Sequence, residues 1–277
     1  LAYVSFFQLH SLCLFCVSLY VVNLLAFLLL GMMLGRGEIM KFRISSSSFA
    51  FLFVVFVVGG IILHTTSRQY ARDLSEAETR QYLEAFFKQT PVSIDVTGRP
   101  FWGNPDAKIV IAEFSDLECP YCKVAAFRLK PYLQEYKDKV KLVFLNYPLD
   151  QACNPVMTRP GHQQACQAAV ALHCAAMQDK FWEYHDEAFD RQPRFSEENL
   201  MKIAKQLGLN LPTFTNCYNS GAARAYIASD VAQGNRIGVQ STPSIYINGR
   251  LFPNWISKRL LHQALEKIAS ESSREGL

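Results

Sequence analysis

The sequence predicts transmembrane helices followed by an α/β domain that carries a helical insertion. The first observation is charge: residues 1–35 and 44–67 contain no Asp, Glu, Lys or Arg, although 19% of the 277 residues are charged. The second is the order of apolar patterns after residue 67: strand, helix, strand, a long helical stretch, hairpin and helix. The third is an even number of cysteines, 8, which suits an oxidising compartment. The composition excludes disorder and collagen, and a scattered net charge of +4 shows no nucleic-acid footprint.

Two apolar stretches precede the charged part of the chain. Residues 12–34 are apolar almost throughout and long enough to cross about 30 Å of hydrocarbon. Residues 47–66 form a second stretch whose strictly apolar core is shorter. We therefore predict a transmembrane helix in each, with residues 35–46 as the loop between them. A pair of buried core helices is the alternative.

The charge of the loop orients these helices. The loop contains three basic residues and one acidic residue; the basic ones are Arg36, Lys41 and Arg43. The positive-inside rule therefore places the loop in the cytoplasm. Everything after residue 67 is then periplasmic, on the outer side of the cell inner membrane, and Cys13 and Cys16 lie at the outer end of their helix. Because the sequence starts in an apolar run without an initiator Met, we interpret it as the C-terminal part of a longer protein.

The charged part divides into a connecting segment, 67–94, and a folded domain, 95–277. The connecting segment reads as a polar helix or linker that spaces the domain from the membrane. In the domain, the patterns predict strands at 108–115 and 140–147, a helix at 120–136 kinked at Pro131, a hairpin of 244–247 and 250–252 around Asn248-Gly249, and a final helix after residue 256. The insertion, about 160–238, is predicted to be helical throughout.

The sequence Cys119-Pro-Tyr-Cys122 follows a predicted buried strand and opens a predicted helix. Unpaired N–H groups and the helix dipole at that position lower a thiol pKa and favour the thiolate. The two-residue spacing lets Cys122 attack a mixed disulfide formed on Cys119. Half of a zinc site is the alternative, but no second CxxC or HxxxH follows to complete four ligands. We therefore predict redox chemistry and no metal.

Residues 95–270 resemble the DsbA-like branch of the thioredoxin superfamily, through the runs IAEFSDLECPYC, KFWEYHDEAF and STPSIYING. The resemblance implies a thioredoxin-like fold with a helical insertion, in which Pro120 and Tyr121 support the active site between the two cysteines. It makes Thr242-Pro243 a cis-proline loop that packs against the disulfide and binds substrate backbone; a trans turn proline is the plain alternative. It makes Glu113 the buried acid beneath the disulfide, where the alternative is an ordinary strand-end carboxylate.

The sequence departs from the strong oxidants of this family at one position. They carry His where Tyr121 stands, and a His can add positive charge beside the thiolate. Glu118 also places a negative charge next to Cys119. Both features raise the thiol pKa relative to the extreme oxidants, so an isomerase or reductase role stays open.

A second pair, Cys13-Leu-Phe-Cys16, lies in the first apolar stretch. Residues 2–34 resemble the last catalytic helix of bacterial vitamin K epoxide reductase (VKOR) homologues, in which a membrane CxxC passes electrons to quinone. This resemblance implies that residues 1–34 are the C-terminal part of such a module, whose earlier helices and outer-loop cysteine pair are absent from this sequence. Two inert thiols in a membrane helix are the alternative.

The four remaining cysteines lie in or beside the insertion. If residues 163–177 form one helix, Cys166 and Cys174 lie about 12 Å apart along its axis, which is beyond disulfide reach. Of the two pairings left we prefer Cys153 with Cys166 and Cys174 with Cys217, as structural disulfides. A metal cluster with His162 or His173 is the alternative, but the spacings match no usual site.

Together these features predict a membrane-bound thiol-disulfide oxidoreductase that forms disulfides in exported proteins. The expected partners are exported proteins with cysteines, membrane lipid and quinone, with no nucleic acid. The expected cofactor is quinone at the VKOR-like module. A disulfide isomerase or reductase is the nearest alternative. A membrane-tethered module that binds a soft metal such as Cu(I) through the CxxC sequence is the alternative from another class.

Overall fold

The computed structural model describes residues 58–59, 75–159 and 161–274. The chain divides into two compact units, Leu1–Asp73 and Leu74–Leu277, and the fold below is that of the second. The first predicted span and almost all of the second lie outside the described residues, as do Cys13 and Cys16. In the described part of the chain, no helix combines the length and the apolar character that crossing a membrane requires.

The second unit alternates strands and helices before and after a run of five consecutive helices. The strands are β1 (Phe101–Gly103), β2 (Ile109–Ser115), β3 (Val140–Asn146), β4 (Ser244–Ile247) and β5 (Arg250–Leu251). The helices are α1 (Glu76–Lys88), α2 (Pro120–Leu133), α3 (Ala165–Ala176), α4 (Phe181–Arg191), α5 (Glu197–Gln206), α6 (Leu211–Tyr218), α7 (Gly221–Arg236) and α8 (Lys258–Arg274), with a 3-10 turn at Gln134–Tyr136.

The strands form one sheet in the order β1-β3-β2-β4-β5. β2 and β3 are parallel and are joined through α2, whereas β4 runs antiparallel to β2. β2 and β3 are buried along nearly their whole length, as strands covered on both faces are. The central strands therefore fix where α2 begins, at the C-terminal end of β2.

The hairpin β4–β5 forms at the Asn-Gly pair that predicts it. Asn248 and Gly249 both have positive φ, 46° and 77°, which is the backbone geometry of a two-residue hairpin turn. The edge strand β1 was not predicted. It has three residues that end in a glycine, and it exists because its backbone pairs with β3.

The segment 67–94 contains a helix, which is one of the two alternatives predicted for it, and this helix belongs to the folded core. The helix is α1, which begins with a Ser75–Glu78 capping box and buries Phe86 to 1% exposure. The Phe86 ring packs edge-on against Phe252 at 5.3 Å. Six residues after Phe86, Val92 donates its backbone N–H to Gly249 O at 2.8 Å. The folded unit therefore includes α1, because its apolar face completes the core beside the hairpin.

The insertion is helical, as predicted, and has its own apolar core. Helices α3 to α7 share a cluster that includes the fully buried Tyr184, Phe189, Phe195 and Phe214. This cluster extends to Cys119 and Cys122 at the start of α2. The insertion is therefore packed against the cysteine pair.

Candidate active site

Cys119 and Cys122 are free thiols at the first turn of α2. Cys119 is the N-cap residue and Pro120 takes the first helical position, where its missing N–H leaves no hydrogen bond unmade. Cys119 is 5% exposed and Cys122 is fully buried. Tyr121, which lies between the two cysteines in sequence, is 67% exposed, so its ring is at the surface.

The surroundings shift the pKa values of the two thiols in opposite directions. The hydrogen bond from Cys122 is the largest cause that lowers the pKa of Cys119 to about 6, and the backbone N–H groups of Tyr121 and Cys122 lower it further. Burial is the largest cause that raises the pKa of Cys122 well above its ordinary value. Cys119 is therefore the thiol suited to act as a nucleophile, and Cys122 is the thiol suited to stay protonated until an intermediate forms.

The loop before β4 faces the reactive thiol. The Thr242-Pro243 peptide bond is cis. The Cys119 thiol donates to Thr242 O at 3.2 Å. The loop thus lies beside Cys119, in the position that the resemblance implied.

Glu113 lies in β2, next to β4, where it pairs in register with Ile245. It is 4% exposed, and among the described residues its Oε1 has no hydrogen-bond partner. Burial is the largest cause that raises its pKa to about 7, and the negative charge of Cys119 raises it further. A carboxyl group with this pKa exchanges protons near neutral pH, close to both thiols.

Three further residues were not assigned to this site from the sequence. Asp116 is buried and accepts a hydrogen bond from Leu149 N at 2.8 Å and from Glu118 N at 2.7 Å. Gln192 donates to Leu117 O at 2.6 Å and to Cys119 O at 2.9 Å. These bonds connect the end of α4 to residues 116–122, which we call the cysteine turn. The third is His162, treated below. Of the three, only Asp116 has a sequence feature that could have identified it, because it is a charged residue directly after a predicted buried strand.

The position of Glu118 next to Cys119 in sequence suggested a negative charge beside that thiol. Its side chain instead contacts the insertion. Its Oε2 accepts a hydrogen bond from Gln164 N at 2.8 Å, at the start of α3. Burial is the largest cause acting on the pKa of Glu118 and raises it, while this hydrogen bond from Gln164 N lowers it.

The insertion cysteines form the two preferred disulfides. Cys153–Cys166 closes the loop after β3 with a Cα–Cα distance of 5.9 Å, and Cys174–Cys217 joins α3 to α6 with 5.7 Å. Because α3 is continuous from Ala165 to Ala176, Cys166 cannot reach Cys174. Among the described residues, no group of three or more His, Cys, Asp or Glu side chains is arranged to hold a metal ion.

The sheet, the insertion and the cysteine turn define a DsbA-like thiol-disulfide oxidoreductase fold. Residues 95–267 match the family model Thioredoxin_4, described as thioredoxin, and the chain belongs to this family. The predicted thioredoxin-like α/β fold is therefore confirmed.

Two solved structures show the same architecture. Oxidised BdbD from Bacillus subtilis is 25% identical, with a TM-score of 0.54 over 64% of this chain and 96% of that chain. Wolbachia pipientis alpha-DsbA1 is 18% identical, with a TM-score of 0.55 over 66% of this chain and 97% of that chain, and shows the shared fold alone.

Curated relatives match the thioredoxin region. The Na(+)/H(+) antiporter NhaA 3 of Salinispora tropica is 31% identical over 53% of this chain and 21% of its own length. The Na(+)/H(+) antiporter NhaA of Herminiimonas arsenicoxydans is 28% identical over 59% of this chain and 24% of its own length. The chain thus spans less than a quarter of these relatives. The VKOR-like nature of residues 1–34 stays a prediction.

Proposed function

We propose that this chain is a membrane-bound thiol-disulfide oxidoreductase that forms disulfides in exported proteins. The observation that carries the proposal is the asymmetry of the pair. Cys119 has a pKa of about 6 and contacts the cis-proline loop at 3.2 Å, whereas Cys122 is buried. A stabilised thiolate on Cys119 makes the reduced form more stable and the disulfide a stronger oxidant.

The exchange begins with the Cys119–Cys122 disulfide. A substrate thiolate attacks Cys119 Sγ, the bond to Cys122 breaks, and Cys122 leaves as a thiolate that takes a proton. A second substrate thiolate then attacks the substrate sulfur of the mixed disulfide, and Cys119 leaves as its stabilised thiolate. The substrate loses two electrons and gains a disulfide, and the pair is left reduced, with Cys119 as a thiolate and Cys122 as a thiol. We infer that Glu113, whose charge raises the pKa of Cys122, takes and gives the proton that Cys122 exchanges.

The membrane half of the proposal rests on the sequence. We infer that residues 12–34 and 47–66 span the inner membrane and that the domain faces the periplasm. Cys13 and Cys16 would then lie on the same side as Cys119 and accept its two electrons. A quinone bound near them would supply the final electron acceptor.

The test uses the full chain, oxidised and purified in detergent. It is mixed with an equal amount of a reduced peptide that has two cysteines, and the peptide is followed by mass spectrometry. We expect the peptide to lose two mass units within minutes, and Cys119→Ala to abolish this. The matched control is Cys174→Ala with Cys217→Ala. It removes a cysteine pair that lies outside the cysteine turn. A peptide that stays reduced with the oxidised wild-type chain contradicts the proposal.

The second candidate is a disulfide isomerase or reductase. Tyr121, at the position where the strong oxidants carry His, favours it because Tyr adds no positive charge. The two functions separate in a glutathione redox buffer. If the Cys119 pair is mostly oxidised where glutathione itself is mostly reduced, then the chain is a reductase.

A further inference from the structure

An ion pair lies beside the cysteine turn. Asp116 O accepts from Cys119 N at 3.0 Å, and Asp116 N donates to Cys122 Sγ at 3.4 Å, so the backbone of this residue contacts both cysteines. Its side chain is fully buried, and Oδ2 lies 2.7 Å from His162 Nδ1. A buried carboxylate at the cysteine turn disfavours a thiolate on Cys119 unless a positive charge balances the carboxylate.

The surroundings of this pair are acidic. Glu118 lies two residues from Asp116, and Asp150 faces Glu118 from the loop after β3. Burial is the largest cause that raises the pKa of Glu118, and the charges of Asp116 and Asp150 raise it further. A thiolate on Cys119 would add one more negative charge to the group.

His162 brings the opposite charge to this group. The hydrogen bond to Asp116 is the largest cause that raises its pKa, and the charges of Cys119 and Glu118 raise it further. Its side chain is 29% exposed, so protons reach it. The loop that carries it is closed by Cys153–Cys166, and His162 N donates to Leu149 O at 3.2 Å. The fold therefore holds the imidazole on Asp116.

We propose that His162 is a positioning residue for the thiol exchange, whose positive charge balances Asp116 and thereby stabilises the Cys119 thiolate. Tyr121 brings no charge between the cysteines, and His162 supplies it instead from a loop more than forty residues away in sequence. This inference rests on the proposed function only in that Cys119 is the reactive thiol.

The charge of His162 depends on pH. The titratable groups that face it are Asp116 and Glu118 from the turn before α2, and Cys119 at the helix start. Below the raised pKa of His162 the ion pair is neutral overall. Above that pKa the imidazole is uncharged, and the Asp116 carboxylate has no balancing charge. The contribution of His162 to the thiolate is therefore present at low pH and lost at high pH.

The test measures alkylation of Cys119 by iodoacetamide in the mildly reduced full chain, at pH 6 and pH 9, on the Cys119 peptide by mass spectrometry. His162→Gln removes the charge. We expect the rate at pH 6 to fall about twofold, which is the loss of thiolate that a rise of about half a pKa unit causes near a pKa of about 6, and the rate at pH 9 to stay as in the wild type. His162→Lys keeps the charge and should restore the rate at pH 6. His262→Gln is the matched control, since His262 also pairs with a carboxylate, Glu135, at 2.7 Å, in a pair between α8 and the 3-10 turn.

An unchanged rate in His162→Gln at pH 6 overturns the inference, and so does an equal loss at both pH values. If His162→Gln does not fold, a slow rate at pH 6 in folded His162→Lys overturns it instead. The proposed function has a separate readout. If the wild-type chain does not oxidise the dithiol peptide but His162→Gln still slows alkylation at pH 6 alone, then the function fails and the role of His162 is supported.

Discussion

The cysteine turn at the start of α2 and the cysteines of the insertion differ in their surroundings. Cys119 sits at a helix N-terminus with hydrogen bonds from a thiol and from backbone N–H groups. Cys174 is fully buried on α3 and pairs with Cys217 across 43 residues of chain. One pair has polar partners that stabilise a charged sulfur, and the other joins two helices that share an apolar core. The partners of each sulfur, rather than the number of cysteines, therefore separate the exchanging pair from the structural ones.

Cys119→Ser tests this difference most strongly. Because a hydroxyl is a far weaker nucleophile and leaving group than a thiolate, we expect thiol-disulfide exchange to fall by at least about 1,000-fold. The measurement is the rate of peptide oxidation by the oxidised chain. Cys174→Ser with Cys217→Ser should leave the rate per folded molecule within about twofold. A large loss of exchange in that double variant would show that the insertion disulfide takes part in the reaction.

Removal of the insertion disulfides should affect stability instead. Since Cys174–Cys217 closes the longer loop, with a sequence separation of 43 against 13, we expect its loss to cost about 4 kcal/mol and the loss of Cys153–Cys166 about 3 kcal/mol. Urea unfolding of each double Cys→Ser variant measures the free energy of unfolding. An order of costs opposite to this one would show that loop length does not decide the effect.

Glu113→Gln separates burial from charge at the cysteine turn. The folded pKa of Glu113, about 7, is above its ordinary value of 4.5. Below pH 4.5 the carboxyl group is protonated in both the folded and the unfolded chain, so no charge is buried. Above pH 7 the charged carboxylate is buried, and the full free-energy penalty destabilises the fold. We expect Glu113→Gln to be more stable than the wild type by up to about 3 kcal/mol at pH 8 and equally stable at pH 4.5. Urea unfolding at both pH values measures this. A difference that is the same at both values would contradict the raised pKa.

The sequence predicted the fold well where local signals are strong. Strands β2 and β3 and the Asn248-Gly249 turn each follow from patterns of a few residues. It failed where tertiary pairing decides, as for β1 and for the packing of α1. At the site, Cys119 and Cys122 carry a local motif. His162 and Gln192 carry none, because their roles depend on the insertion folding back onto the cysteine turn.

The smallest expected effect compares two glutamines of the insertion that each make two hydrogen bonds. Gln192 donates to Leu117 O and Cys119 O, whereas Gln178 donates to Asn210 O and accepts from Asn210 N. Either change to Ala should lower the free energy of unfolding by about 2 kcal/mol, since each removes two ordinary hydrogen bonds of about 1 kcal/mol. Only Gln192→Ala should change the alkylation rate of Cys119, by about twofold, because the freed carbonyls let the cysteine turn move. Equal alkylation rates in the two variants would mean that the turn holds its shape without the insertion, and that the insertion acts on the thiols through burial alone.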